Sequence, residues 1–162
     1  MSGLVAIREA IATRLLSVPE IGRVHGWERP FTTAAGLQQF YGWPADTADA
    51  PIRGWCVTLR RFSGSPARTG RGRRITCQWR IIGYLSLQDA SASEMTLTGL
   101  IDRIAAAFDA DPTLGNTVSR SAKGEPPDTL AGIQCRKITV LRLPETPPCH
   151  QVWLTLHTQH FA

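Results

Sequence analysis

Between Asp49 and Asp89 the chain has no acidic residue over 39 positions, and in all of its 162 residues it has only two lysines, Lys123 and Lys137. Long apolar runs are missing too. The N-terminal stretch MSGLVAIREAIATRLLSV has an apolar side, but Arg8, Glu9 and Arg14 interrupt it and no small-residue cleavage site follows. That excludes a signal peptide and a membrane span as readings of this segment. Cys56, Cys77, Cys135 and Cys149 stand far apart without a CxxC pair, so a zinc knuckle or thioredoxin motif is absent and buried free thiols of a cytosol-made protein are expected. There is no P-loop, no GxGxxG opening a helix after a strand, no HExxH and no GxSxG. No nucleophile stands beside its base, so neither an enzyme nor a cofactor is expected. His157 and His160 lie an odd number of residues apart on a strand-like run and point to opposite faces, which argues against a shared metal ion. Asp109 and Asp111 read as solvated acids at a helix end.

What fills the acid-free stretch is arginine. Arg53, Arg60, Arg61, Arg68, Arg71, Arg73, Arg74 and Arg80 give it eight positive charges, while the remainder of the chain is net negative, so the overall +5 originates there. Six of the eight, Arg60, Arg61, Arg68, Arg71, Arg73 and Arg74, fall in RRFSGSPARTGRGRR, where Ser63, Gly64, Ser65, Pro66, Gly70 and Gly72 are turn and breaker signals. The segment 60–74 therefore reads as a projecting basic loop. Its partner is anionic: nucleic acid, a membrane surface or an acidic protein face.

With 43% hydrophobic residues the length suits one domain, 1–162. Leu4, Ile7, Ile11 and Leu15 recur at helical spacing and predict a helix over 3–17 with Ser2 as its cap. A short strand follows at 21–27. Residues 28–52, with Pro30, Pro44, Pro51 and the aromatics Phe31, Phe40, Tyr41 and Trp43, read as a long connection with a helical turn at 34–41. Two runs rich in β-branched and aromatic residues, 54–61 and 74–87, flank the basic loop as a long antiparallel hairpin. In the second run Ile75, Cys77, Trp79 and Ile81 share a face. Ser91 and Glu94 have capping-box spacing ahead of Leu97, Leu100, Ile101, Ile104 and Phe108, which predicts a helix to Asp109. A polar loop over 112–129 and strands at 133–143 and 151–161 complete an α+β fold in the order α-β-β-β-α-β-β. The expected sheet is mixed or mainly antiparallel, with two helices packed on it.

VPEIGRV after a first helix, WCVTLRR leading through a variable loop to RIIGYLSL, and a helix running into FDADPTLGNTV together resemble the tail terminator, or tail-completion, proteins of long-tailed bacteriophages and prophages. The resemblance implies a structural virion protein at the neck, made in the host cytoplasm. It implies a homo-oligomer, a hexameric ring, that caps the completed tail tube and joins head-completion or connector proteins without any cofactor. The basic loop matches no motif of that family. Its arginines would contact genome DNA without sequence preference, or dock onto an acidic rim of the tube or connector. Docking is favoured, because a channel that must release DNA gains little from a sticky wall. The competing class is a small nucleic-acid-binding module whose basic hairpin enters a groove as a β-ribbon.

Overall fold

Alternation along three strands decides how the sheet is covered, because successive side chains of a strand point to opposite faces. Trp55 and Val57, then Cys77, Trp79 and Ile81, then Val152, Leu154 and Leu156 all fall on the same face. The computed structural model describes residues 3–66, 72–119 and 132–161. It joins β1 (Arg23–His25), β2 (Arg53–Pro66), β3 (Arg73–Ser86), β4 (Ile133–Leu141) and β5 (Cys149–Phe161) in one mixed sheet of order β1-β2-β3-β5-β4. Only β1 and β2 run parallel. Three α-helices, α1 (Leu4–Leu16), α2 (Ala34–Tyr41) and α3 (Ser93–Ala110), complete the α+β fold. Parallel neighbours need a crossover rather than a tight turn, and α2 lies in the one between β1 and β2. In the same way α3 carries the chain from β3 across to β4.

The helices divide between the two faces. α1 brings Ile7, Ile11 and Leu15, and α3 brings Leu97, Leu100, Ile104 and Phe108, onto the face that holds Trp55, Trp79 and Leu154. Each such side chain, fully buried, contributes about 1.5–3 kcal/mol relative to exposure. The two core indoles also find acceptors: Trp55 Nε1 donates to Ile21 O and Trp79 Nε1 to Thr158 Oγ1, both at 2.9 Å. On the opposite face α2 covers one end only. Thr33 Oγ1 caps it by accepting from Gly36 N at 3.1 Å, and Leu37 and Tyr41 pack on Cys56, Ile82 and Tyr84 with Phe31 edge-on to both tyrosines.

The structure departs from the sequence reading at several points. The 28–52 segment is more than a connection: Phe31, Phe40 and Tyr41 build this second small core, and the helical turn is a capped helix. The predicted capping box is not used. A single turn of 3₁₀ helix, Asp89–Ser91, precedes α3, and Ala92 in the left-handed region starts it without a side-chain cap. Ser93 Oγ instead accepts from Gln88 N at 2.9 Å and meets buried His150 Nε2 at 3.0 Å. The strand at 21–27 shortens to Arg23–His25, and Cys135 is exposed while Cys56, Cys77 and Cys149 are buried. Ser2 and residues 120–129 of the polar loop lie outside the described residues.

Most consequential is the basic loop. Arg60 and Arg61 lie in β2, and Arg73 and Arg74 in β3, with the ladder continuing to Pro66 opposite Arg73. Serine, glycine and proline failed as breakers here because cross-strand hydrogen bonds are already committed on both sides. β3 is paired along this stretch with β2 and with β5, as far as Arg74 opposite Phe161. Pro66 stands at the end of its strand, where a missing donor costs least. Arg68 and Arg71 lie outside the described residues.

Candidate functional site

The strand layer carries no carboxylate. Arg23 in β1, Arg53, Arg60 and Arg61 in β2, Arg73, Arg74 and Arg80 in β3, and Arg136 and Lys137 in β4 are its charges, and not one Asp or Glu occurs in any of the five strands. Arg23 and Arg53 are held back near α2 and β1: Arg23 Nη1 donates to Gln39 O at 2.7 Å, and Arg53 lies over the Trp43 ring at 5.2 Å. Of the others, Arg73 and Arg74 stand at the outer end of the hairpin, Arg60, Arg61 and Arg80 near the middle of its strands, and Arg136 and Lys137 beside Trp153, which is level with Ile82.

Two β-bulges decide where those charges point. The β2–β3 register shifts between Leu59 and Arg61, and the β4–β5 register shifts between Cys135 and Lys137. In each case one arginine, Arg60 or Arg136, is the extra residue, and a bulge of this kind re-aims the side chains beyond it. Arg61 consequently pairs with Gln78, and Lys137 with Trp153. Both land on the face opposite α1 and α3. Unbroken alternation would have put Arg61 with Leu59 and Lys137 with Cys135, over the helix-side core. Since β1 pairs only with Gly54–Cys56, the bulges also lie on strands whose outer edges no described strand covers along these stretches. There a charged bulge obstructs edge-to-edge pairing and leaves the face as the accessible surface.

Trp153 is the centre of that face. Arg80 Cζ lies 4.5 Å from its ring centroid and Lys137 Nζ 5.0 Å. The half-buried indole therefore has two cations against it, while its Nε1 is buried without an acceptor. His157, on the same face opposite Gln78, also has its Nδ1 buried and unpartnered. Burial holds the His157 imidazole below its ordinary pKa, and the Arg136 guanidinium lowers it further. Arg80 is likewise depressed, first by burial and then by the Arg60 guanidinium, with Glu28 opposing. An arginine stays charged under such a shift, so the cost of crowding remains until an anion relieves it. Arg60, Arg61, Arg80, Arg136 and Lys137 have no ion pair with a described carboxylate; the salt bridge among the described residues joins Arg14 to Asp111, at the far ends of α1 and α3.

No family model and no curated protein matches this chain. The surface must speak for itself. Of the residues read from the sequence, Arg60 and Arg61 reach this face or its edge and Arg73 and Arg74 stand at the outer end of the hairpin. Arg80, Arg136, Lys137, Trp153 and His157 were missed. Their signal was present as two adjacent cations, Arg60-Arg61 and Arg136-Lys137, inside otherwise alternating strands. Among the described residues no three His, Cys, Asp or Glu side chains converge as metal ligands. His157 and His160 do point to opposite faces, opposite Gln78 and Ile75 respectively. No helix among the described residues is long and apolar enough to cross a membrane. At the other end of the sheet the sign reverses: a groove beside α2 is lined by Gln38, Asp49 and Glu145 and by no basic side chain. The arrangement can hold extended anionic surface by charge-assisted, bidentate contacts.

Proposed function

We propose that this chain is a structural subunit of the tail-terminator kind, which closes a completed phage tail tube as a ring, hexameric by resemblance alone, and joins it to head-completion or connector proteins in the virion neck. What supports the reading is the segregation of charge. A sheet face and a long hairpin without a single carboxylate stand on one side of a small α+β subunit, and the acids lie in helices and connections. Work of this kind needs two chemically different surfaces and a heterologous contact that closes by rotation. The hairpin end, with Arg73 and Arg74 and the neighbouring Arg68 and Arg71 of the sequence, docks the acidic rim of a tube or connector.

The second reading, a nucleic-acid-binding module, is favoured by the same hairpin charge. It is weakened by Trp153, whose ring is already engaged by Arg80 and Lys137 and so offers no free platform for base stacking. Electron microscopy of the purified protein tests the ring directly. Replacing Arg68, Arg71, Arg73 and Arg74 by serine should leave rings intact and impair head-tail joining in a complementation assay. Normal joining by that variant would sink the docking role. Duplex binding with a steep salt dependence by a monomer would favour the module instead.

A further inference from the structure

We infer that the cationic sheet face receives the acidic outer side of α3 from a second copy of this chain. The inference rests on the ring reading, to which it adds the identity of the two contacting surfaces.

Register fixes the cations. Arg61 lies opposite Gln78, Arg80 two residues further along β3, and Lys137 opposite Trp153, which is itself opposite Ile82. With strands about 4.8 Å apart and about 3.4 Å per residue, Arg61, Arg80 and Lys137 form a diagonal row with backbone steps of about 8 and 12 Å, about 20 Å in all. On α3 the exposed acids Glu94, Asp102 and Asp109 are eight and seven residues apart. Those intervals are close to two helical turns each, so the three share a side, at steps of about 12 and 10 Å, about 22 Å in all. Two rows of three opposite charges therefore match in length within the reach of arginine and lysine side chains. Arg103 is the only exposed base on that helix. Among the described residues the rest of the face beyond α2 carries no helix of its own.

A second copy is favoured over nucleic acid because both halves of the match occur on one subunit. A nucleic-acid surface would use the cations alone and would leave the α3 row without a role. The contact joins different surfaces of the two copies, which makes it heterologous and able to propagate around a ring.

The test uses two charge-reversed chains. One carries Arg61→Glu and Lys137→Glu, both at exposed positions; the other carries Glu94→Lys, Asp102→Lys and Asp109→Lys. Circular dichroism establishes that each folds. Light scattering in low salt should show wild-type self-association that weakens as salt is raised. Either variant alone should associate at least about tenfold more weakly, as loss of close charge pairs across an interface produces. An equimolar mixture should recover association, because every contact then pairs reversed cation with reversed acid or native with native. Recovery in the mixture is the supporting result. Undiminished association by either variant, or a mixture no better than its components, overturns the contact, and wild-type rings seen alongside leave the ring reading standing. A wild type that stays monomeric at its solubility limit also overturns it, with head-tail complementation judging the tail reading separately. Loss of duplex binding by the Arg61→Glu, Lys137→Glu chain, in a protein that never self-associates, assigns the face to nucleic acid.

Discussion

Gly83→Ala should cost this protein about 2–4 kcal/mol, although it adds one methyl to a strand. Gly83 lies opposite Trp55 across β2 and β3. A Cβ there would stand 2.7 Å from Trp55 Cη2, with Cζ3 and Cε3 nearer still. Carbon atoms rest at about 3.5–4.0 Å, so the indole must retreat by about 1 Å. It has nowhere to go: Trp55 is 1% exposed, and its Nε1 donates to Ile21 O at 2.9 Å. Retreat stretches that bond beyond hydrogen-bonding distance. Overpacking costs about 1–3 kcal/mol and an orphaned buried donor about 1–3 kcal/mol. Reduced freedom of the unfolded chain returns about 0.4–1 kcal/mol. Urea denaturation measures the net loss, and the melting temperature should fall by about 5–15 °C. A Trp55→Leu background removes the clash, so Gly83→Ala should be milder there by at least about 1 kcal/mol. A stability within about 0.5 kcal/mol of wild type, or an equal cost in both backgrounds, would refute the reasoning.

Acidification should weaken the fold. Burial lowers the pKa of His25, against a hydrogen bond with Phe40 O, and lowers those of His157 and His160. The unfolded chain therefore protonates first, and urea stability should decline as pH falls below about 6.5; a pH-independent midpoint down to the lower folded values would contradict this. Asp111 adds a later loss. Desolvation opposes its ionisation, but hydrogen bonds from Thr113, Gly115 and Arg14 outweigh it and hold the carboxyl below its ordinary value. Its contribution is present above the unfolded carboxylate pKa and disappears as pH drops through the folded one, a step that Asp111→Asn should abolish. A thiol reagent should modify Cys135 readily in the native protein and Cys56, Cys77 and Cys149 only after unfolding; four equally fast thiols would disprove the burial pattern. Arg80→Ala should cost no more than about 2 kcal/mol in thermal melts, the scale of one cation–π contact.

Regular periodicity was legible and broken periodicity was not. The spacing of Ile7, Ile11 and Leu15, and that of Leu97, Leu100, Ile104 and Phe108, marks both main helices, and each set is buried as a stripe. The shared face of Cys77, Trp79 and Ile81 was equally readable. Arg61 and Lys137 could not be placed, because a bulge changes face without changing residue type. Strand propensity also understated the hairpin. Ser63, Gly64 and Ser65 look like a loop locally, yet their partners on β3 lie in a strand held from its other side by β5. The small core under α2 was hidden for a related reason: Tyr41 and Tyr84 are 43 positions apart in sequence and meet only after the crossover, with ring centroids at 4.7 Å.

The two bulges make the position of the positive charge a matter of counting. Arg60→Ala keeps the chain length and leaves Arg61 where it is, and deleting Arg60 brings Arg61 directly after Leu59 into the same slot opposite Gln78, so either change keeps the faces of everything from Arg61 to Pro66. Deleting Arg136 would likewise leave Lys137 opposite Trp153. At these two sites, then, the protein should tolerate almost any substitution and the loss of the surplus residue, whereas drawing Arg60 or Arg136 into the ladder would turn every later side chain of its strand to the other face. Each bulge absorbs one surplus residue, and the frame kept in that way determines which surface a partner meets.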